Sequence, residues 1–138
     1  MRDDLPKIIN NNSVFMYNMD SKNGNGSHWV CVGLHFPSIF YFDPFGTKIL
    51  NGFPPMELRI WGKHNGYKII YASENDIQHV KSFLCGYYAL YVADLLKKHI
   101  MSLTENKFDS LISNSFDEYP SKYNVDKITK WSIKKHIL

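Results

Sequence analysis

Residues 28–43, HWVCVGLHFPSIFYFD, decide the fold. His28 to Phe36 is rich in β-branched and aromatic residues and reads as a buried strand. Pro37-Ser38 makes a turn, and Ile39 to Asp43 reads as a second strand, stopped by Pro44 and Gly46. Before this hairpin, Ser13 to Tyr17 is a short strand candidate. Asn18 to Ser27 is a loop, most flexible at Asn23-Gly24-Asn25-Gly26. After it, Pro54-Pro55 opens a helix over Met56 to Lys63, ended by Gly66. Tyr67 to Tyr71 is a further strand. A mostly polar connector, Ser73 to Leu84, leads into the longest helical pattern, Cys85 to Ile100. There Ala89, Val92, Ala93, Leu96 and Ile100 form one apolar stripe. Ser102 to Glu105 fits a capping box before Phe108, Leu111 and Ile112. Asn124 is the expected cap of a last helix with Val125, Ile128 and Trp131 on one face. Strands come first and helices later, with short connections. That order predicts an α+β fold, a small, mainly antiparallel sheet packed with helices.

The chain has 138 residues, which suits one domain over 1–138. A composition 44% hydrophobic and 15% aromatic excludes a disordered chain. The formal charge of +3 is too mild to imply nucleic acid by itself. Arginine occurs only at Arg2 and Arg59, which argues against an arginine-based phosphate reader. Cysteine occurs only at Cys31 and Cys85, without CxxC or zinc-ribbon spacing. Tyr91, not arginine, stands six positions after Cys85, unlike a thiol phosphatase loop. Free thiols and no metal are therefore expected. Met1 to Asn12 is polar and charged and shows no signal peptide. The apolar run Phe83 to Leu96 contains Asp94 and is too short to span a bilayer.

Several residues could carry chemistry. His28 and Asp43 flank the hairpin turn. A direct pair would centre between residues 35 and 36, and Pro37-Ser38 lies slightly beyond. The contact therefore needs a bulge or a diagonal pairing. A carboxylate there fixes one imidazole nitrogen and leaves the other as a base. Alone, the pair also reads as an ordinary surface contact. Cys85 begins the long helix, where the dipole and unpaired N–H groups favour a thiolate. Gly86 behind it leaves room for a substrate backbone. Cys31 lies mid-strand in an apolar run and reads as buried and structural. Gln78, seven residues before Cys85, can donate to an oxyanion, though by itself it reads as solvated surface. His35 sits at the turn, the wrong end for Asp43, and His79 reads as a surface residue.

Together these residues form a pattern: Asn25-Gly26-Ser27-His28-Trp29-Val30, Tyr41-Phe42-Asp43-Pro44-Phe45-Gly46, Gln78, and Ser82-Phe83-Leu84-Cys85-Gly86-Tyr87-Tyr88. It resembles the adenovirus-type (adenain-like) maturation cysteine proteases, nearest to those of virophages and polinton-like elements of the Mavirus kind. The order His, acid, Gln, Cys is that of the wider superfamily that includes SUMO-protein proteases. The resemblance covers residues 13–98. It implies a papain-like or adenain-like cysteine protease fold and peptide hydrolysis through a thioester. Cys85 would be the nucleophile, His28 the base, Asp43 its orienting acid and Gln78 the oxyanion donor. Trp29 would pack by the active site, with Gly26 and Gly86 beside the substrate. Asp43 stands where the adenoviral enzymes have glutamate. The substrates implied are viral capsid precursors, cut after glycine in the virion or host-cell cytoplasm. No cofactor is expected, because the spare thiol, Cys31, reads as buried. A protease of a ubiquitin-like modifier, and an acetyltransferase using the same Cys/His/Asp set, are the alternatives.

Pro120 to Leu138 holds Lys122, Lys127, Lys130, Lys134 and Lys135 against Asp126 alone. A basic C-terminal helix over 124–138 is expected, either a solvated face or a weak nucleic-acid contact. A monomer without membrane contact is expected.

Overall fold

The computed structural model describes residues 4–7, 10–19, 28–46, 54–78 and 84–138. In chain order the elements are β1 (Ser13–Asn18), β2 (Trp29–His35), β3 (Ser38–Phe42), α1 (Met56–His64), β4 (Ile69–Ala72), α2 (Cys85–His99), α3 (Glu105–Ser113) and α4 (Lys122–Lys134). The fold is α+β, as expected. The loop around Asn23 to Gly26, together with His79 and Ser82, lies outside the described residues.

The four strands form one sheet in the order β1-β2-β3-β4. β1 pairs antiparallel with β2, and β2 with β3. β3 and β4 run parallel, so the sheet is mixed. A parallel pair needs a crossover, and α1 lies within it. Gly62 lets α1 approach closely, because a Cβ there would fall 2.7 Å from the Ile39 Cδ1.

The continuous apolar run of β2 has a simple cause: both faces of the sheet are covered. On one face Cys31, Phe40 and Phe42 pack with Tyr88, Val92 and Leu96 of α2 and with Phe108 and Ile128. On the other, Val30, Val32, Leu34, Ile39 and Tyr41 pack with Leu58 and Tyr67. The alternation of side chains along a strand is therefore intact but invisible as polarity.

Three local expectations change. α3 is capped by Thr104, whose hydroxyl accepts from the Lys107 amide, rather than by Ser102. α4 starts at Lys122 with Ser121 as its cap and ends at Lys134, so the 124–138 bounds are shifted. Asn124 is inside that helix and fully buried. Its amide nitrogen donates to the carbonyls of Ile77, Asp117 and Tyr119, and its oxygen accepts from the Asp117 amide. The inward face of α4 is accordingly Asn124, Ile128 and Ser132, with Val125 exposed. Among the described residues no helix is long and apolar enough to cross a membrane.

Candidate active site

Topology brings the candidate residues to one end of the sheet. His28 immediately precedes β2 and Asp43 immediately follows β3. These strands are antiparallel, so the two residues share an end. β4 runs parallel to β3, so Ser73 to Gln78 emerge at that end as well. α2 begins there with Cys85.

The hairpin turns at Phe36-Pro37, and its last ladder pairs are His35↔Ser38 and Cys31↔Phe42. Beyond Phe42 the chain turns over Asp43 to Gly46, closed by the Gly46 amide on the Asp43 carbonyl at 2.8 Å. Two contacts join this turn to His28. The His28 Nε2 lies 2.9 Å from the Asp43 Oδ1. The Phe45 ring stacks on the imidazole at 4.5 Å between centroids and 10° between planes. The His28–Asp43 contact thus lies beyond the last ladder pair and is not a direct cross-strand pair.

Asp43 is firmly held. Its Oδ1 also accepts from the Phe45 amide at 2.9 Å, the Asp side chain bonding its own backbone two residues on. Its amide donates to the Ser73 hydroxyl, which returns a bond to the Asp43 carbonyl. An ionised Asp43 accepts only, so Nε2 of a neutral His28 carries the proton. The other nitrogen, Nδ1, is buried and, among the described residues, has no partner at hydrogen-bonding geometry. It is the nitrogen left for Cys85.

His28 and Cys85 perturb each other strongly. Burial pushes His28 down, but Asp43 and Cys85 outweigh it and raise it to about 9. Burial pushes the Cys85 thiol up, but His28 and the backbone amides of Trp29 and Gly86 reverse this and bring it below the ordinary thiol value. The two shifts run in the sense that favours transfer of the thiol proton to the imidazole.

Trp29 is 36% exposed beside this pair. A Cβ on Gly86 would sit 3.5 Å from the Trp29 Cδ1, so the indole and the glycine lie side by side. Gln78 is buried rather than solvated. The amides of Ile77 and Gln78 both donate to the Pro44 carbonyl, at 3.0 and 3.2 Å, which ties Gln78 to the turn that carries Asp43. Gly26 lies outside the described residues. Cys31 is fully buried, and burial pushes its thiol well above the ordinary range. His35 sits at the far end of β2, where its Nδ1 meets the Asn12 Oδ1 at 2.6 Å.

Sequence reasoning gave Phe45, Ser73 and Asn124 no part in holding the site. Phe45 had a signal: it lies two residues after an aspartate in a turn. Ser73 and the Asn124–Ile77 tie had none, because both join residues far apart in sequence. A groove of about 1280 Å³ runs elsewhere, between α1, β4 and α3. Among the described residues it includes none of His28, Asp43 or Cys85, so chemistry and volume point to different places. Among the described residues no group of three or more His, Cys, Asp or Glu could hold a metal ion.

No family model and no curated protein matches the chain. A solved structure similar to it is that of the ASFV pS273R protease, with a TM-score of 0.44 and 20% sequence identity. The similarity covers 70% of this chain and 37% of that one, so the chain matches little more than a third of that protein's length.

Proposed function

We propose that the protein is a cysteine endopeptidase with Cys85 as nucleophile, His28 as base, Asp43 as its orienting acid and Gln78 as an oxyanion donor. One observation carries the reading. Cys85 at the start of α2 is electrostatically coupled to His28, whose far nitrogen is held by a fixed carboxylate. A thiol so placed gives its proton to Nδ1, and the thiolate attacks the scissile carbonyl carbon. Charge collects on the carbonyl oxygen, which the Cys85 amide and the Gln78 carboxamide stabilise. Collapse breaks the C–N bond, the imidazolium protonates the departing amine, and a thioester remains. Water, deprotonated by Nδ1, hydrolyses the thioester and restores the thiol.

The finer reading rests on the sequence resemblance to adenovirus-type proteases. In it the enzyme is viral and monomeric, its protease domain spans 1–138, and it cuts capsid precursors after glycine during virion maturation. Side-chain-free backbone at Gly86, beside the indole of Trp29, suits a small residue on the acyl side of the cut. In the same reading the lysines of α4 touch nucleic acid.

The test is a fluorogenic peptide set with Gly-Gly, bulky or basic residues before the reporter, with acetyl-CoA assayed in parallel. Cleavage after Gly-Gly that disappears in Cys85→Ala supports the reading. Stable acetylation of Cys85 with no peptide cut would place the protein among acyltransferases instead.

A further inference from the structure

We propose that Phe45 is a positioning residue for the Cys85–His28 pair: its ring sets the plane of the imidazole, and its amide sets the carboxylate oxygen to which the imidazole donates. This deepens the protease reading and rests on it for its catalytic meaning.

Two features converge on Phe45. Its ring lies flat on the imidazole at 4.5 Å and 10°. Its amide and the His28 Nε2 meet the same Asp43 Oδ1, each at 2.9 Å. One residue therefore limits both rotation of the ring and displacement of the carboxylate.

The platform beneath is closed on the other side. Gly46 has φ of 72° and its amide donates to the Asp43 carbonyl at 2.8 Å. A Cβ at Gly46 would overlap the Glu74 carbonyl and the Asn75 backbone, so the turn is seated directly on that segment. The Pro44 carbonyl takes the Ile77 and Gln78 amides. Acid, base and oxyanion donor thus share the turn Asp43 to Gly46.

A flat aromatic face favours the charged imidazolium over the neutral ring. The ionisable groups coupled to His28 are Asp43, at the end of β3, and Cys85, on α2. Tyr41 on β3 is coupled in turn to Asp43. Removing the aromatic face weakens the imidazolium while leaving these groups in place, so both members of the pair titrate closer to their ordinary values.

Phe45→Leu isolates the ring, because the amide bond to Asp43 is kept. The readouts are the His28 midpoint by NMR, assigned with His28→Gln, and the rate of Cys85 alkylation by iodoacetamide at pH 6.5. We expect the His28 midpoint in Phe45→Leu to lie below that of the unsubstituted protein. Alkylation should slow by between a few-fold and about thirtyfold. Phe45→Tyr should restore both. If Leu prevents folding, Phe45→Met, with similar bulk and no aromatic face, carries the same expectation. Lower thermal stability with an unchanged midpoint and unchanged alkylation would show that the ring only fills space and would overturn the proposal. Neither readout uses a peptide substrate. A protein that shows both shifts yet cuts no peptide would fail the protease reading and keep this one.

Discussion

Cys85 and Cys31 carry the same thiol, and both are largely withdrawn from water, at 9% and 0% exposure. They titrate in opposite directions. At Cys31, in the middle of β2, burial acts alone and raises the thiol. At Cys85 burial acts the same way, but His28 and two backbone amides outweigh it. Burial alone thus does not assign a role to a cysteine. What decides is whether neighbouring groups stabilise the thiolate and accept its proton.

Exchanging the two thiols' fates is the strongest way to break this contrast. Cys85→Ala should abolish peptide hydrolysis while the protein stays folded. Cys31→Ser should keep kcat within a few-fold but lose about 1–3 kcal/mol of stability, because it buries a hydroxyl among apolar groups. Equal loss of activity in two folded variants would remove the distinction. Next in size are the neighbours that separate the two sites. His28→Ala should be nearly as damaging as Cys85→Ala, since base and nucleophile act as a unit. Gln78→Ala should lower kcat by on the order of 10²–10³. Asp43→Ala should be milder, because Asp43 acts through the imidazole. Steady-state kinetics on the Gly-Gly peptide reads all three.

The pH profile sharpens the contrast further. His28 is raised from 6.5 to about 9, so its imidazolium is present below that value and is lost as pH rises through it. Activity should therefore fall off near pH 9, and on the acid side below the ordinary thiol range. The same sign applies to folding. The stability contributed by a raised histidine is complete below 6.5 and disappears as pH climbs through about 9. Thermal melts of the protein and of His28→Gln should converge across that window. Loss of activity on the alkaline side near 6.5, instead of near 9, would mean that His28 is not held charged.

The smallest effect concerns α4. Lys122 pairs with Asp126 at 3.6 Å, and Lys127 lies over the Tyr91, Phe116 and Tyr123 rings at 5.6 to 5.8 Å. Lys130, Lys134 and Lys135 are exposed. With three phosphate contacts, duplex binding should weaken with salt at a log–log slope of about 3 or less in magnitude. Fluorescence anisotropy checks this. Binding that is unchanged when these three become Gln would leave α4 a solvated face.

The positions of most elements could be read from local sequence, because apolar runs and turn residues mark them within a residue or two. Most of the candidate residues stand out for the same reason. Its members sit where elements start and stop, and such boundaries carry the strongest local signals. What could not be read is long-range. The parallel pairing of β3 with β4 depends on where a crossover returns the chain. Gln78 looks polar and solvated until Pro44 is seen to hold its backbone. Asn124 has the composition of a helix cap, and only the folded chain shows it reaching back to Ile77. Cys85 shows the limit from the other side: its helix position was visible, but the backbone of Trp29 that helps to lower its thiol was not.

The central claim is that Cys85, and not Cys31, rests as a thiolate sustained by His28. Alkylation of the native protein by iodoacetamide at pH 6.5, resolved by site with peptide mass spectrometry, tests it directly. Cys85 should be modified rapidly, Cys31 should stay unmodified until the protein is unfolded, and His28→Gln should slow Cys85 by roughly tenfold or more. Alkylation of Cys85 that begins only in the ordinary thiol range and ignores His28 would contradict the account.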